Sequence, residues 1–372
     1  MRTPPGGEGA RPLPVTGPAV LHLDSGRAWA GGQNQVRVLM RGVRSRVRAQ
    51  LCLCPRGSPL ESRLREEGLP VAGIRWRGGA DPRAVLAVAR AMRGFDLVHC
   101  HDAHALQVAL VPAKLLGIPL VASRRVPFRT SAAKWNRADR VIAVSEGVRA
   151  GLAASGVDPR RLRTIHSGID PAEVRALPPL APTLRERLGI APDAFVVGNV
   201  GHLYEYKHQE ELVRAAAEAP RDLHWVIVGE GPRRPVLEEL LSALGLGDRV
   251  HLVGRVDDAR RLLREFDLFA FSSRDEGLGS SVLDALAAGL PTVAADDSGP
   301  AEILRPVHAS TGTSLYPPGD HRRLAELVRA LRESGEARRE MVRAQSSRLS
   351  DFHVDTTAER TLEVYRELRA RS

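Results

Sequence analysis

Short apolar runs along this chain alternate with longer stretches in which apolar residues return every three or four positions. Residues 19–23, 49–54, 71–74, 97–100, 120–123 and 141–144 form a first set of runs, with helical periodicity at 58–67, 82–93, 103–116 and 146–154 between them. Another helix is expected from the Gly31-Gly32-Gln33 turn to about Val43. The alternation then resumes, with strands expected at 195–200, 225–228, 250–253, 268–271 and 292–294 and helices at 209–218, 234–244, 258–265 and 280–288. Continuous apolar runs suit strands covered on both faces, and regular strand–helix alternation predicts the α/β class with parallel, doubly wound sheets. Ligands of such sheets collect beyond the carboxyl ends of the strands.

The most informative unit spans residues 268–295. An apolar strand runs into a polar elbow, Ser272 to Glu276, and Gly277-Leu278-Gly279 then opens a helix at Ser280 that Gly289 ends. Two glycines let backbone approach a ligand, and the free N–H groups of a helix start favour an anion there. Glu276 and Asp284 lie about two helical turns apart, too far to share a proton and well placed to accept hydrogen bonds from separate hydroxyl groups of one ligand. Phosphate at the helix start with sugar hydroxyls at the carboxylates describes a nucleotide sugar.

The stretch from Glu276 to Ala295 resembles the glutamate, seven residues, glutamate motif of the retaining glycosyltransferases of family 4, with Asp284 in place of the second glutamate. The resemblance implies GT-B architecture, in which two Rossmann-like doubly wound parallel-sheet domains face each other across a cleft. It also implies that Glu276 faces the donor sugar and that Asp284 accepts from the ribose. Gly201 to Lys207 is similar to the family's Gly-Arg-x-x-x-x-Lys loop, which implies that His202, standing where the family has arginine, and Lys207 grip the donor diphosphate. By the same resemblance Gly31 and Gly32 approach that diphosphate from the other side of the cleft, and Arg255 and Val256 lie against the base. His101, in a His-x-His-Asp turn, is expected to contact the transferred sugar. The expected catalytic set is therefore His101, Glu276 and Lys207. Donor-binding residues are expected at Gly31, Gly32, His202, Lys207, Arg255, Val256, Glu276, Gly277, Leu278, Gly279, Ser280 and Asp284.

Domain limits follow from the same text. Residues 1–18, rich in Pro, Gly and Arg, are expected to be disordered. The resemblance implies that residues 19–175 form an acceptor domain, closing with His166-Ser167-Gly168-Ile169-Asp170, which is similar to the family's Pro-Asn-Gly-Val-Asp turn. A Pro-rich linker covers 176–190, a donor domain 191–350, and residues 351–372 a helix expected to cross back to the first domain.

A chain of 372 residues is long enough for two cores. The formal charge of +10 is nearly all arginine, since only Lys114, Lys134 and Lys207 are lysines among the 54 basic residues. That cationic surface admits an anionic membrane or a lipopolysaccharide-like acceptor. Arginines are scattered and lack interleaved aromatics, so nucleic acid is not an expected partner. Cys52, Cys54 and Cys100 sit in apolar runs and supply neither a disulfide framework nor a four-ligand zinc site. His99, His101 and Asp102 invite a metal reading, but alternate residues at a strand end make a weak ligand set. Neither a membrane span nor a signal peptide is legible, and a cytoplasmic protein with peripheral contact at the inner membrane face is expected. The reaction expected is metal-independent, cofactor-free transfer of a sugar from a UDP- or GDP-sugar to an acceptor glycan or glycolipid with retention of configuration. A nucleotide-sugar 2-epimerase and a non-catalytic membrane-surface protein are the alternatives.

Overall fold

The computed structural model describes residues 17–78 and 81–370. The segment expected to be disordered lies outside them through residue 16. Seven strands, β1 (Ala19–Leu23), β2 (Ala49–Pro55), β3 (Val71–Ile74), β4 (Leu97–Cys100), β5 (Leu120–Arg124), β6 (Arg140–Ala143) and β7 (Leu162–Thr164), form one sheet in the order β3-β2-β1-β4-β5-β6-β7. Six more, β8 (Val196–Val200), β9 (His224–Val228), β10 (Val250–Gly254), β11 (Leu268–Phe271), β12 (Thr292–Ala295) and β13 (Leu315–Tyr316), form a second in the order β10-β9-β8-β11-β12-β13. Pairing is parallel throughout both sheets. Helices cover both faces, so every residue of β1, β4, β6, β11 and β12 is buried. This is the two-domain α/β architecture that the apolar pattern predicted.

Strand order positions the site. In each sheet the chain winds outward from a central strand and then returns to wind the other way, so the reversals fall between β1 and β4 and between β8 and β11. A crevice opens at such a reversal, beyond the carboxyl ends of the two strands. The segments that leave those four ends carry Gly31, His101, Lys207 and Glu276.

Several features depart from the expected pattern, short helices at Ala132–Trp135, Pro171–Ala176 and Leu184–Leu188 among them. Strands β7 and β13 have three and two residues, too short for a periodicity to show. Between residue 296 and the last helix the pattern predicted no element, and the structure has helices at Ser298–Thr311, His321–Glu333 and Gly335–Arg348. Gly299, Pro300 and Pro306 interrupt the first of these as text, though the first two sit in its opening turn, where the missing N–H of Pro300 costs little. The helix expected at 258–265 is a 3₁₀ segment, Ala259–Glu265, entered through Asp258 at φ 51°.

The C-terminal helix Val354–Arg369 lies on the first half of the molecule. Its Tyr365 hydroxyl sits 2.6 Å from His99 Nδ1, its Glu367 pairs with Arg140, and His353 bridges to Ile169. Val20, Leu39, Ile142, Leu362 and Tyr365 share one buried cluster, so that helix is part of the first domain's core.

Candidate active site

Two helices begin facing one another, one from each half. Helix Gly31–Val43 follows β1 and helix Ser280–Ala288 follows β11. Neither start has a side-chain cap or an acidic residue in its first turn. Elsewhere Ser58, Asp102 and Ser145 cap their helices with side-chain oxygens. The two starts nearly touch: a Cβ on Gly31 would stand 2.7 Å from Ser280 Oγ, and one on Gly277 would collide with the Arg125 carbonyl. Glycine at both positions is what lets the two halves come this close, backbone to backbone at Gly277 and backbone to the Ser280 hydroxyl at Gly31. Uncapped N–H groups carry the positive ends of two helix dipoles, so the point between them attracts an anion. Gly32 follows Gly31 with only the Arg125 side chain near it, and Gly279 enters the second helix at φ 92°.

Lysine and glutamate stand beside these starts. Lys207 Nζ donates to Glu276 Oε2 at 2.6 Å, with the two side chains 11% and 19% exposed, and the Ser273 hydroxyl donates to the same oxygen at 2.7 Å. The ammonium also lies over the rings of Tyr206 and Phe271. Asp275 takes the left-handed region at φ 52° immediately before Glu276, a conformation that an L residue holds only where its surroundings enforce it. Its N–H donates to Asp297 Oδ1 at 2.9 Å, which is such a restraint. His202 is held below the usual histidine range by burial first, then by the Lys207 and Arg255 cations.

From the first half comes a chain of rings ending in a cation. Arg125 donates through NH1 to the His101 carbonyl at 2.6 Å and through NH2 to His101 Nδ1 at 3.2 Å. Arginine has no acceptor, so His101 Nδ1 accepts and its Nε2 carries the proton, donating to His22 Nδ1 at 2.9 Å. His22 Nε2 is then an N–H with no partner among the described residues. His101 is 3% exposed and both its nitrogens meet protein groups, so the group it presents toward the crevice is Arg125. Burial pulls His22 down to about 3 and pushes His99 and His101 well below the usual range, leaving all three rings neutral. Nothing in the local sequence singles out Arg125, the second of two adjacent arginines at the end of β5.

Asp102 ties this turn to the glycine loop. Its carboxylate caps helix Ala103–Leu116 through the N–H groups of His104 and Ala105 at 2.8 and 2.9 Å and accepts from Ser25 N and Oγ, both at 2.7 Å. Asp24 holds the same loop through Gly26 N at 2.9 Å and Gln33 Nε2 at 3.1 Å.

Asp284 projects from the second facing helix into a charged cluster shared between the halves. Burial raises its carboxyl to about 7, against the pull of Arg260 and with the push of Asp258 and Glu173. Glu173 binds Arg37 and Arg41 of the first facing helix at 2.6 Å each and Arg260 at 2.9 Å. Glu302 makes a second link, accepting from Glu146 N at 2.9 Å and lying 2.6 Å from His166 Nε2.

Arg255 and Val256 follow the end of β10, with Arg255 largely exposed and 3.8 Å from Asp257. A Cβ on Gly229 would meet the Gly201 carbonyl and one on Gly231 the Leu203 backbone, so these two glycines after β9 seat the Gly201–Lys207 loop. Leu278 is buried and contributes packing behind the helix start.

The three rings His22, His99 and His101 lie close enough for one ion. Their chemistry opposes it: His99 is engaged by Tyr365 and Ser123 at 2.6 and 2.7 Å, His101 by His22 and Arg125, and a guanidinium borders the group.

Residues 29–173 match the model described as Glycosyltransferase Family 4, and residues 181–348 the model described as Glycosyl transferases group 1. The chain is 32% identical over 315 residues to a D-inositol 3-phosphate glycosyltransferase of Kineococcus radiotolerans, covering 74% of this chain and 72% of that protein. It is 27% identical over 266 residues to a 2-deoxystreptamine glucosyltransferase of Streptomyces kanamyceticus, covering 64% and 67%. Anabaena HepE, solved in complex with UDP-glucose, superimposes with a TM-score of 0.83 at 24% identity, covering 94% of this chain and all of that one.

Proposed function

Since the chain belongs to the glycosyltransferases that join a Family 4 half to a group 1 half, we propose that it moves a sugar from a nucleotide diphosphate sugar to an acceptor hydroxyl, keeping the anomeric configuration. The observation that carries this reading is the meeting of two uncapped helix starts, at Gly31 and Ser280, with Lys207 beside them. A leaving diphosphate gains negative charge in the transition state, and dipoles and cations fixed before the reaction stabilise it without reorganising. Gly31, Gly32, Gly277, Gly279 and Ser280 supply backbone to the diphosphate, and Lys207 and His202 supply side chains. Arg255 and Val256 flank the base, and Asp284 takes the ribose.

In the proposed step the acceptor oxygen bonds to the anomeric carbon on the face from which the phosphate oxygen departs. That oxygen takes the acceptor proton as its bond to carbon breaks. Glu276, held by Lys207 and Ser273, orients the sugar hydroxyls. His101 acts through Arg125 as a positioning residue. Three of the acids in these loops already have protein donors: Lys207 on Glu276, Arg305 on Asp296 at 3.0 Å, and Asp275 N on Asp297. This supports a metal-independent reaction. Among the described residues no helix is long and apolar enough to cross a membrane, and an acceptor glycan or glycolipid reached from the cytoplasmic face remains part of the proposal.

A thermal-shift panel of UDP, GDP, ADP and their sugars tests the reading. A bound nucleotide at 100 times its dissociation constant stabilises by about 2.7 kcal/mol. A panel in which none of them raises the melting temperature overturns it.

A further inference from the structure

A pocket of about 450 Å³ opens at the carboxyl ends of β2 and β3, which end in Pro55 and Ile74, beside the loop that follows β1. Its wall holds Arg27, Arg56, Arg75, Arg77 and Trp76, and no acidic residue. This is the sheet that carries Gly31 and His101, on the side of β1 away from β4. Arg27 is four residues ahead of Gly31, so one loop borders both the pocket and the crevice.

What sets these four arginines apart is that they share one pocket wall, since other arginines of this half, Arg44 and Arg93 among them, also lack an ion pair among the described residues. Elsewhere in the same half Arg37, Arg41, Arg65 and Arg140 have carboxylate partners. Among the described residues none of Arg27, Arg56, Arg75 and Arg77 is in an ion pair. Two have weak or backbone ties: Arg27 donates to the Trp76 carbonyl, which fastens the β1 loop over the end of β3, and Arg56 Nε lies 3.4 Å from the Gly73 carbonyl. Trp76 is 4% exposed, and its indole N–H has no partner among the described residues. A buried donor left unpaired is costly, and four arginines in one wall repel one another, with Glu61 the carboxylate that acts on Arg56. An oxyanion in the pocket relieves both, and the planar fork of arginine suits phosphate in particular.

We infer that this pocket binds the acceptor through a phosphate group, with Arg56, Arg75 and Arg77 as its cations and the β1 loop as the boundary toward the donor. The inference rests on the glycosyltransferase reading and narrows its acceptor to a phosphorylated one, either a soluble sugar or polyol phosphate or a lipid whose headgroup carries phosphate. A pocket of this volume accommodates a monosaccharide phosphate.

The test uses the full chain with whichever of UDP, GDP or ADP binds held at saturation, so that the diphosphate position is filled. Binding of glucose 6-phosphate and of glucose is measured by calorimetry, and binding to phosphatidylglycerol and phosphatidylcholine vesicles by sedimentation. Each is repeated on Arg56→Ala/Arg75→Ala and on Arg75→Glu, with melting temperatures as a check that these exposed changes leave the fold intact. Saturable binding of glucose 6-phosphate but not glucose, weakened about tenfold or more in both variants, supports a soluble acceptor phosphate. Binding to phosphatidylglycerol vesicles alone, lost in both variants, supports the lipid source. Failure of the wild type to bind either phosphate probe, or equal binding by the variants, overturns the inference while nucleotide affinity leaves the donor reading standing. If no nucleotide binds, the glycosyltransferase reading fails and takes this inference with it.

Discussion

Lys207 and Glu276 form a close ion pair, Nζ to Oε2 at 2.6 Å, that joins the loop after β8 to the loop after β11. These are the loops on either side of the second sheet's reversal, so the pair fixes the two walls of the crevice relative to each other. Its cation is thereby oriented beside the helix start at Ser280, and its carboxylate keeps one oxygen for other donors.

Lys207→Ala removes that cation and leaves Glu276 with the Ser273 hydroxyl alone. Charge-assisted hydrogen bonds are worth about 1.5–3 kcal/mol, so affinity for nucleoside diphosphate is expected to fall roughly 10- to 150-fold. Calorimetric titration checks it, and an unchanged affinity removes Lys207 from the diphosphate site.

His202 is expected to make donor binding pH-dependent. Burial, Lys207 and Arg255 keep its ring neutral to lower pH than usual in the free enzyme, and a bound diphosphate favours the charged ring. Binding then takes up a proton, so affinity rises as pH falls through the range set by the bound-state pKa. His202→Arg should bind at least as tightly and lose this dependence. If the slope with pH survives in the variant, another group is responsible.

Asp284→Asn has two readouts. Ionised carboxylate is the better acceptor for ribose hydroxyls, so in the His202→Arg background, where the opposite trend is removed, nucleotide affinity should increase as pH rises through about 7, where burial has placed this group. The variant should show no such rise and at pH 8 should bind less tightly by about 1–2 kcal/mol, or roughly five- to thirty-fold. Stability should move the other way. A carboxyl whose folded-state pKa is raised above its unfolded value opposes folding increasingly as pH climbs from about 4 to about 7. The melting temperature of Asp284→Asn relative to wild type should therefore be higher at pH 8 than at pH 4. Equal offsets at the two pH values would show that the carboxyl is not perturbed.

His101→Asn tests the positioning role. It deletes the ring that accepts from Arg125 NH2 but retains the backbone carbonyl that accepts from NH1. Turnover should drop about tenfold or more through a displaced Arg125, with nucleotide affinity little changed. A change confined to nucleotide affinity would place His101 elsewhere in the mechanism.

Turnover in excess EDTA should match that in added Mg²⁺ or Mn²⁺, because helix starts and Lys207 supply the positive charge that a cation would otherwise bring. A strict requirement for restored metal would reject the proposed step and leave the fold assignment intact.

What the sequence determined by itself is local. Apolar runs such as Leu268–Phe271, the Gly277-Leu278-Gly279 opening and the glycine stop at 289 define strand–turn–helix units, and those units place Gly31, Lys207 and Glu276 after strands whatever the rest of the chain does. Periodicity and turn chemistry act over a few residues, so they are readable in one dimension. What only the tertiary structure decided depends on partners far apart in the chain. Strand order put β1 beside β4 and β8 beside β11, which turned four separate loops into one crevice. Only then do Gly31 and Ser280 meet, does Arg125 rest on His101, and does Arg56 share a pocket with Arg75. The same distant neighbours set charge: burial raises the carboxyl of Asp284 to about 7, with Arg260 opposing and Asp258 and Glu173 adding to it, and desolvation is a property of that enclosure and not of the residue.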